Sequence, residues 1–132
     1  ALRVVRESTA ARRKLKPVAR IVAQAVHAQA PEWFTTAPVG AIQKVLKRSG
    51  WDARSVQRWE VNEAFAAQAL AVCRELGLPM ERTNPNGSGI SLGHPIGATG
   101  TILVVKALYE LKRTGGKRGG CPGETDAEAR KH

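Results

Sequence analysis

A single histidine in a glycine-rich segment is the residue of this chain best suited to chemistry. His94 lies within the run 84–100, which contains five glycines and two prolines. Glycine lets a backbone turn sharply and approach a ligand closely, and proline restricts the loop around it. A neutral imidazole can take up a proton near pH 7. The segment therefore predicts a stiff loop that presents His94 to a substrate; the plainer alternative is a tight turn that contains an incidental histidine.

A second polar residue occupies an equivalent place earlier in the chain. Asn62 follows a predicted strand, Val56–Val61, and stands at the start of a predicted helix. Junctions between strands and helices are where layered α/β sheets place their ligands. An amide and an imidazole fixed in advance could together stabilise an oxyanion. The alternative roles are structural: Asn62 is a favourable helix N-cap, and Glu63 would interact well with the helix dipole.

The elements that must position these residues alternate between strands and helices. Hydrophobic spacing predicts a buried strand over 18–26, helices over 38–49, 62–76 and 98–113, and a very short strand over 90–92. The helix that opens at Asn62 is apolar nearly all round, so we expect it to be buried. This alternation predicts a layered α/β fold.

Composition narrows the class of protein. The chain has 132 residues, of which 42% are hydrophobic, enough for one domain, and its formal net charge is +10. Its basic residues are spread over several elements with few aromatic residues among them, which disfavours a specific nucleic-acid platform. We find no run apolar enough to span a membrane and no signal peptide, so a cytoplasmic protein without membrane attachment is expected. Cys73 and Cys121 lack metal-ligand spacing, so neither a metal site nor a disulfide is predicted.

The end of the chain differs in character from the rest. After Gly116 the sequence has almost no apolar side chains. We therefore predict one domain over residues 1–116, followed by a disordered or aberrant tail over 117–132.

Two motifs in this sequence resemble those of thiolases. The run Trp59–Gln68 is similar to the asparagine motif of that family. Residues 84–100 resemble its Asn-Gly-Gly segment and the following Gly-His-Pro-hydrophobic-Gly-Ala-Ser/Thr-Gly motif. The flanking segments are similar as well, so that the resemblance extends over residues 2–118. Two motifs in the right order are far more specific than either alone.

The resemblance implies a fold and an activity. Thiolases are homo-oligomers with a duplicated, five-layered α/β/α/β/α form, and this chain corresponds to their C-terminal half. We therefore expect an incomplete thiolase-like layered α/β fold with a mixed sheet covered by helices. Thiolases transfer acyl groups between coenzyme A (CoA) thioesters, by Claisen condensation or thiolysis of 3-ketoacyl-CoA, through a cysteine thioester. The implied substrates are CoA and acyl-CoA, without a prosthetic group, in a homodimer or homotetramer of the cytoplasm or, in a eukaryote, of mitochondria or peroxisomes.

The resemblance also assigns roles to residues. His94 would activate the nucleophilic cysteine and contribute to an oxyanion site, where Asn62 would hold a water. Gly93, Gly97 and Phe34 would contact the substrate. The nucleophile belongs to the N-terminal half of thiolases, so this chain alone is expected to be inactive. Cys121 arrives too early to match the family's second catalytic cysteine, and we assign it no role.

Two other functions remain open. One is a noncatalytic thiolase-like module that binds CoA or a partner subunit. The less favoured one is a basic nucleic-acid-binding protein, which the net charge supports only generically.

Overall fold

A computed structural model describes residues 1–122 and the backbone of residues 126–131. The strands are β1 (Ala19–Ala25), β2 (Arg58–Trp59), β3 (Arg118–Cys121) and β4 (Asp126–Lys131). The helices are α1 (Glu7–Arg12), α2 (Ala37–Ser49), α3 (Ala66–Leu76), α4 (Gly89–Leu92) and α5 (Ile96–Thr114). Short 3₁₀ turns cover Pro31–Thr36, Ala53–Ser55 and Met80–Arg82.

The four strands form one mixed sheet in the order β1-β4-β3-β2. Strand β2 pairs in parallel with β3, so that Arg58 lies opposite Gly119, and β4 runs antiparallel to both β1 and β3. Helix α2 packs against β1 and β4, while α5 packs mainly against β3. The expectation of a layered α/β fold with a mixed sheet covered by helices is confirmed.

The two faces of the strand that includes β2 are chemically different. Trp59 and Val61 join a buried apolar cluster with residues of α2 and α3. Arg58 and Glu60 point the other way, because successive side chains of a strand alternate between its faces, and both pair with charged residues of α5. Helix α5 therefore meets a charged strand face, and α2 and α3 meet an apolar one.

The ends of the long helices follow the sequence signals. Helix α2 ends at Gly50 and α5 at Gly115, each in the left-handed conformation with φ of 70°. Glycine is the residue that adopts this conformation without steric cost. The helices predicted over 38–49 and 98–113 are thus present, each with boundaries shifted by one or two residues.

Other predicted elements differ from the structure. The strand predicted over 18–26 exists, yet only Ala25 within β1 is buried. Helix α3 begins at Ala66, and only Val72 and Cys73 in it are buried, so the expectation of a helix opening at Asn62 and buried all round is wrong. The reason is a contact with a residue distant in sequence: the backbone N–H of Asn62 donates to Pro122 O at 3.0 Å, which extends the pairing with β3 and keeps this segment out of the helix.

The segment predicted as a short strand over 90–92 is helical. Its residues belong to α4, where Leu92 N donates to Ser88 O at 2.8 Å in the i to i−4 pattern of an α-helix. An apolar run of three residues does not distinguish between strand and helix, so the backbone hydrogen bonds decide.

The residues predicted as a disordered or aberrant tail, 117–132, include the strands β3 and β4. Strand β3 is paired on both sides and is buried from Gly119 to Cys121. Its small residues leave room for neighbouring side chains: a Cβ on Gly120 would lie 2.4 Å from Cζ3 of Trp59. Apolar groups from other elements thus cover a segment that has few of its own. Residues 123–125 and 132 lie outside the described residues.

Within the part of the chain that the structure describes, no helix is both long enough and apolar enough to cross a membrane.

Candidate functional site

His94 lies between two helices with its ring orientation fixed. Gly93 ends α4 with φ of 89°, and Pro95 is the N-cap residue of α5. The Nδ1 atom of His94 lies 2.7 Å from Thr99 Oγ1, and that hydroxyl donates its proton to Pro95 O at 3.0 Å. A hydroxyl has only one proton, so with that proton directed to Pro95 O, Thr99 accepts from His94. With this assignment the neutral imidazole carries its proton on Nδ1 and a lone pair on Nε2.

Asn62 faces that lone pair. Its Nδ2 atom lies 3.5 Å from His94 Nε2, and the residue is only 6% exposed. Its side-chain oxygen Oδ1 is buried without a hydrogen-bond partner among the described residues. The N-cap of α3 is Phe65, so the alternative role of Asn62 as a helix cap is wrong. The structure thus brings together the two residues that the sequence singled out, which are 32 positions apart.

The loop that leads to His94 is fastened to the strand end that carries Asn62. The Asn84 side chain accepts from Val61 N at 2.7 Å and donates to Val61 O at 3.0 Å and to Glu63 Oε1 at 2.9 Å. The Ser88 hydroxyl also donates to Val61 O, at 2.8 Å. The second carboxylate oxygen of Glu63 accepts from Ile90 N at 3.3 Å. Glu63 therefore acts as a hydrogen-bond partner of the loop.

Gly89 allows the loop to approach this closely. A Cβ at this position would lie 2.8 Å from Glu63 O, a backbone atom, and 3.5 Å from Asn62 Oδ1. Any larger residue would push the loop away from the strand end, which is the use of glycine that the sequence indicated.

Charged groups fill the space between this strand and α5. Glu60 is fully buried, and its Oε2 lies 2.7 Å from Lys106 Nζ. Burial raises the pKa of the Glu60 carboxyl, and the hydrogen bond from Lys106 partly opposes that shift. One helical turn later, Glu110 pairs with Arg113 at 2.7 Å and accepts from Asn86 at 3.0 Å; these two hydrogen bonds lower its pKa to about 2.

The residues predicted to contact substrate differ in position. Gly93 and Gly97 flank His94 along the chain and are exposed. Phe34 is 61% exposed in the 3₁₀ turn Pro31–Thr36, which packs against α2 and α3. Their contact with substrate stays a prediction.

Two residues of the site escaped the sequence analysis. Thr99 fixes the histidine ring, and Asn84 fixes the loop. The role of Thr99 could have been indicated by its place as a hydroxyl residue five positions after a histidine, at the start of a helix. Asn84 gives only a weak signal, because an asparagine before a proline is common in turns.

The arrangement is suited to proton transfer and to binding a polarised oxygen. The Nε2 lone pair can accept a proton from an incoming thiol, and the Asn62 amide is a donor fixed beside it. Within the described residues, no three histidine, cysteine or acidic side chains are grouped as a metal site would require.

Comparison with known proteins agrees with these motifs. The family description "Thiolase, C-terminal domain" matches residues 15–129. The beta-ketothiolase BktB of Cupriavidus necator is 48% identical over 114 residues, which are 86% of this chain and 29% of that protein. The 3-oxoadipyl-CoA/3-oxo-5,6-dehydrosuberyl-CoA thiolase of Escherichia coli K12 is 46% identical over 123 residues, covering 92% of this chain and 31% of that enzyme.

Similarity in structure leads to the same family. The crystal structure of the Bacillus anthracis acetyl-CoA acetyltransferase superposes with a TM-score of 0.88 at 39% identity, over 96% of this chain and 34% of that one. The chain thus spans about a third of the length of the relatives that it matches. This chain belongs to the thiolase family, of which it contains the C-terminal domain.

Proposed function

We propose that this chain is the C-terminal part of an enzyme that transfers acyl groups between CoA thioesters, by Claisen condensation or by thiolysis of a 3-ketoacyl-CoA. The observation that carries the proposal is the contact of Asn62 Nδ2 with His94 Nε2 at 3.5 Å, with the ring orientation fixed by Thr99. Membership of the family and the names of its relatives support the same chemistry.

His94 would act on the nucleophilic thiol. The Nε2 lone pair accepts the thiol proton, and the resulting thiolate attacks a substrate carbonyl to form the cysteine thioester. In condensation the C–S bond of an acyl-CoA breaks and CoA leaves as its thiolate; in thiolysis the C2–C3 bond of a 3-ketoacyl-CoA breaks and acetyl-CoA leaves as its enolate. The proton that left the thiol neutralises the leaving anion. The imidazolium that results donates at the same nitrogen to a substrate oxygen that carries developing negative charge. In the resemblance this cysteine lies in the N-terminal half, so we propose that the 132-residue chain is inactive by itself.

Asn62 would supply the neighbouring donor. Its amide orients a water, or the substrate oxygen itself, beside His94, and a donor fixed before the reaction needs no reorganisation in the transition state. Gly93 and Gly97 would let the CoA thioester approach the backbone around His94, and Phe34 would line its pantetheine arm.

The remaining parts of the proposal concern the complete enzyme. Its substrates would be CoA and acyl-CoA, without a prosthetic group, and it would be a homodimer or homotetramer. A cytoplasmic location is proposed, in line with the cytosolic acetyl-CoA acetyltransferase of the mouse, which is 41% identical over 116 residues.

A hybrid enzyme tests this function. Residues 15–129 would replace the matching segment of the Cupriavidus necator beta-ketothiolase, and thiolysis of acetoacetyl-CoA would be followed by its loss of absorbance. We expect activity in the hybrid, a fall in kcat of about 10²-fold or more for His94→Ala, and a fall of about 10²-fold for Asn62→Ala.

The control is His27→Ala, which removes a histidine that packs against Gly40 of α2. Its kcat should stay close to that of the unmodified hybrid. A hybrid that keeps full activity with His94→Ala would contradict the proposal. A folded hybrid that binds CoA without turnover would favour the noncatalytic module instead.

A further inference from the structure

Two oppositely oriented ion pairs connect the strand end before Asn62 with the helix that follows His94. Arg58 Nε lies 3.4 Å from Glu110 Oε1, and Lys106 Nζ lies 2.7 Å from Glu60 Oε2. Residues two apart on a strand and four apart on a helix each share one face, so the two pairs lie side by side. The positive residue comes from the strand in one pair and from the helix in the other.

These pairs are largely removed from solvent. The side chains of Glu60 and Glu110 are 0% and 3% exposed, and those of Lys106 and Arg58 are 14% and 21% exposed. Buried ion pairs add little stability compared with apolar side chains of the same size, because desolvation opposes the attraction. Stability alone therefore does not account for this arrangement.

The same charged groups also hold the loop that leads to His94. Lys106 Nζ donates to Gly87 O, and Asn86 Nδ2 donates to Glu110 Oε2 at 3.0 Å. Lys106 thus contacts two segments at once: Glu60, two residues before Asn62, and the loop seven residues before His94. Its own helix begins two residues after His94. The Lys106 ammonium group therefore contacts, through Glu60 and Gly87, the two backbone segments that carry Asn62 and His94.

We propose that Lys106 and Glu60 are positioning residues that set the separation between Asn62 and His94. This proposal rests on the acyl-transfer function proposed above, to which it adds two residues that do not touch the reacting atoms. Without the Lys106–Glu60 pair, the strand end and α5 are free to move apart, and the Asn62 amide loses its place beside the imidazole.

Nuclear magnetic resonance of the 132-residue chain measures this separation directly. The side-chain amide resonances of Asn62 should shift on His94→Gln, because the two groups lie 3.5 Å apart. When His94→Gln is made in the Lys106→Met background, we expect the amplitude of that shift to fall about twofold or more, since an electrostatic effect decreases with distance. Lys112→Met, an exposed lysine of the same helix, should leave the amplitude unchanged.

A double variant separates positioning from folding. Lys106→Met leaves Glu60 buried without its cation, whereas Glu60→Gln combined with Lys106→Met removes both charges and their desolvation cost. The double variant should keep the backbone amide resonances of α2 and α3 unchanged, as a sign of an intact fold, and should still show the reduced amplitude at Asn62.

Three results would overturn the proposal. One is a folded double variant with the full Asn62 amplitude, and another is loss of the fold in both variants, which would make the pair a stability element. The third is the absence of any Asn62 response to His94→Gln in the otherwise unmodified chain, which would also remove the contact behind the proposed function. Because no measurement here needs CoA or turnover, an inactive hybrid enzyme would leave the result on positioning intact.

Discussion

Replacing Asn84 should reveal how firmly the loop before His94 is held. Its side chain makes three hydrogen bonds to the strand end, two of them to the backbone of Val61, which is 1% exposed. It also has a positive φ of 50°, a conformation that asparagine and glycine tolerate better than other residues. The substitution Asn84→Ala therefore removes the hydrogen bonds and introduces backbone strain, while Asn84→Gly removes the hydrogen bonds alone.

The expected loss in the free energy of unfolding is the sum of these two contributions. A buried N–H left without a partner costs about 1–3 kcal/mol, and we take about 2 kcal/mol for the N–H of Val61. Alanine in the left-handed region costs about 1 kcal/mol more than glycine. We thus expect the free energy of unfolding to fall by about 3 kcal/mol for Asn84→Ala and by about 2 kcal/mol for Asn84→Gly.

Chemical denaturation followed by tryptophan fluorescence measures both values, because Trp59 is buried beside Val61 in the apolar cluster. The linear dependence on denaturant gives each free energy of unfolding. A loss below about 1 kcal/mol for Asn84→Ala, or equal losses for the two variants, would refute this account of how the loop is held.

Two further substitutions test the sheet and the charged face. Gly120→Ala should lower the free energy of unfolding by about 1–3 kcal/mol, because the new Cβ would overlap the buried Trp59 ring. Gly100→Ala in α5 is the control: open space surrounds this position, so the substitution should be neutral or stabilising. Similar free energies of unfolding for the two variants would contradict the packing described. The pKa of Glu110 is lowered to about 2 from an ordinary 4.5, so its contribution to stability is present above pH 4.5 and is lost as the pH falls toward 2. Melting temperatures between these pH values should fall less steeply for Glu110→Gln than for the unmodified chain, and equal slopes would assign the acid sensitivity to other groups.

The sequence singled out two residues, His94 and Asn62, that the structure brings within 3.5 Å of each other, and their catalytic roles stay a prediction. They stood out because both lie at predicted junctions between strands and helices, His94 within a loop rich in glycine and proline. The helix ends at Gly50 and Gly115 were also predictable, since each requires a left-handed residue. These features depend on local chemistry, which a sequence displays directly.

The features that could not be predicted depend on contacts between distant residues. Asn62 looks like a helix cap until its N–H is seen to donate to Pro122, which keeps the segment extended and delays α3 to Ala66. Strand β3 has almost no apolar side chains, and its burial comes from Trp59 and α5. The pairing of Lys106 with Glu60 likewise requires knowing which strand α5 covers.

The pairing of β2 with β3 bears on when the contacts of this strand end can form during synthesis of the protein. Arg58 is opposite Gly119, and the backbone that carries Asn62 is hydrogen-bonded to Pro122. On a ribosome, the strand end would emerge long before its partner and would remain without those hydrogen bonds meanwhile. Contacts between residues so far apart in sequence also form slowly, because a long loop must first close. The backbone that carries Asn62 would therefore be held in its extended conformation only after Pro122 has left the ribosome.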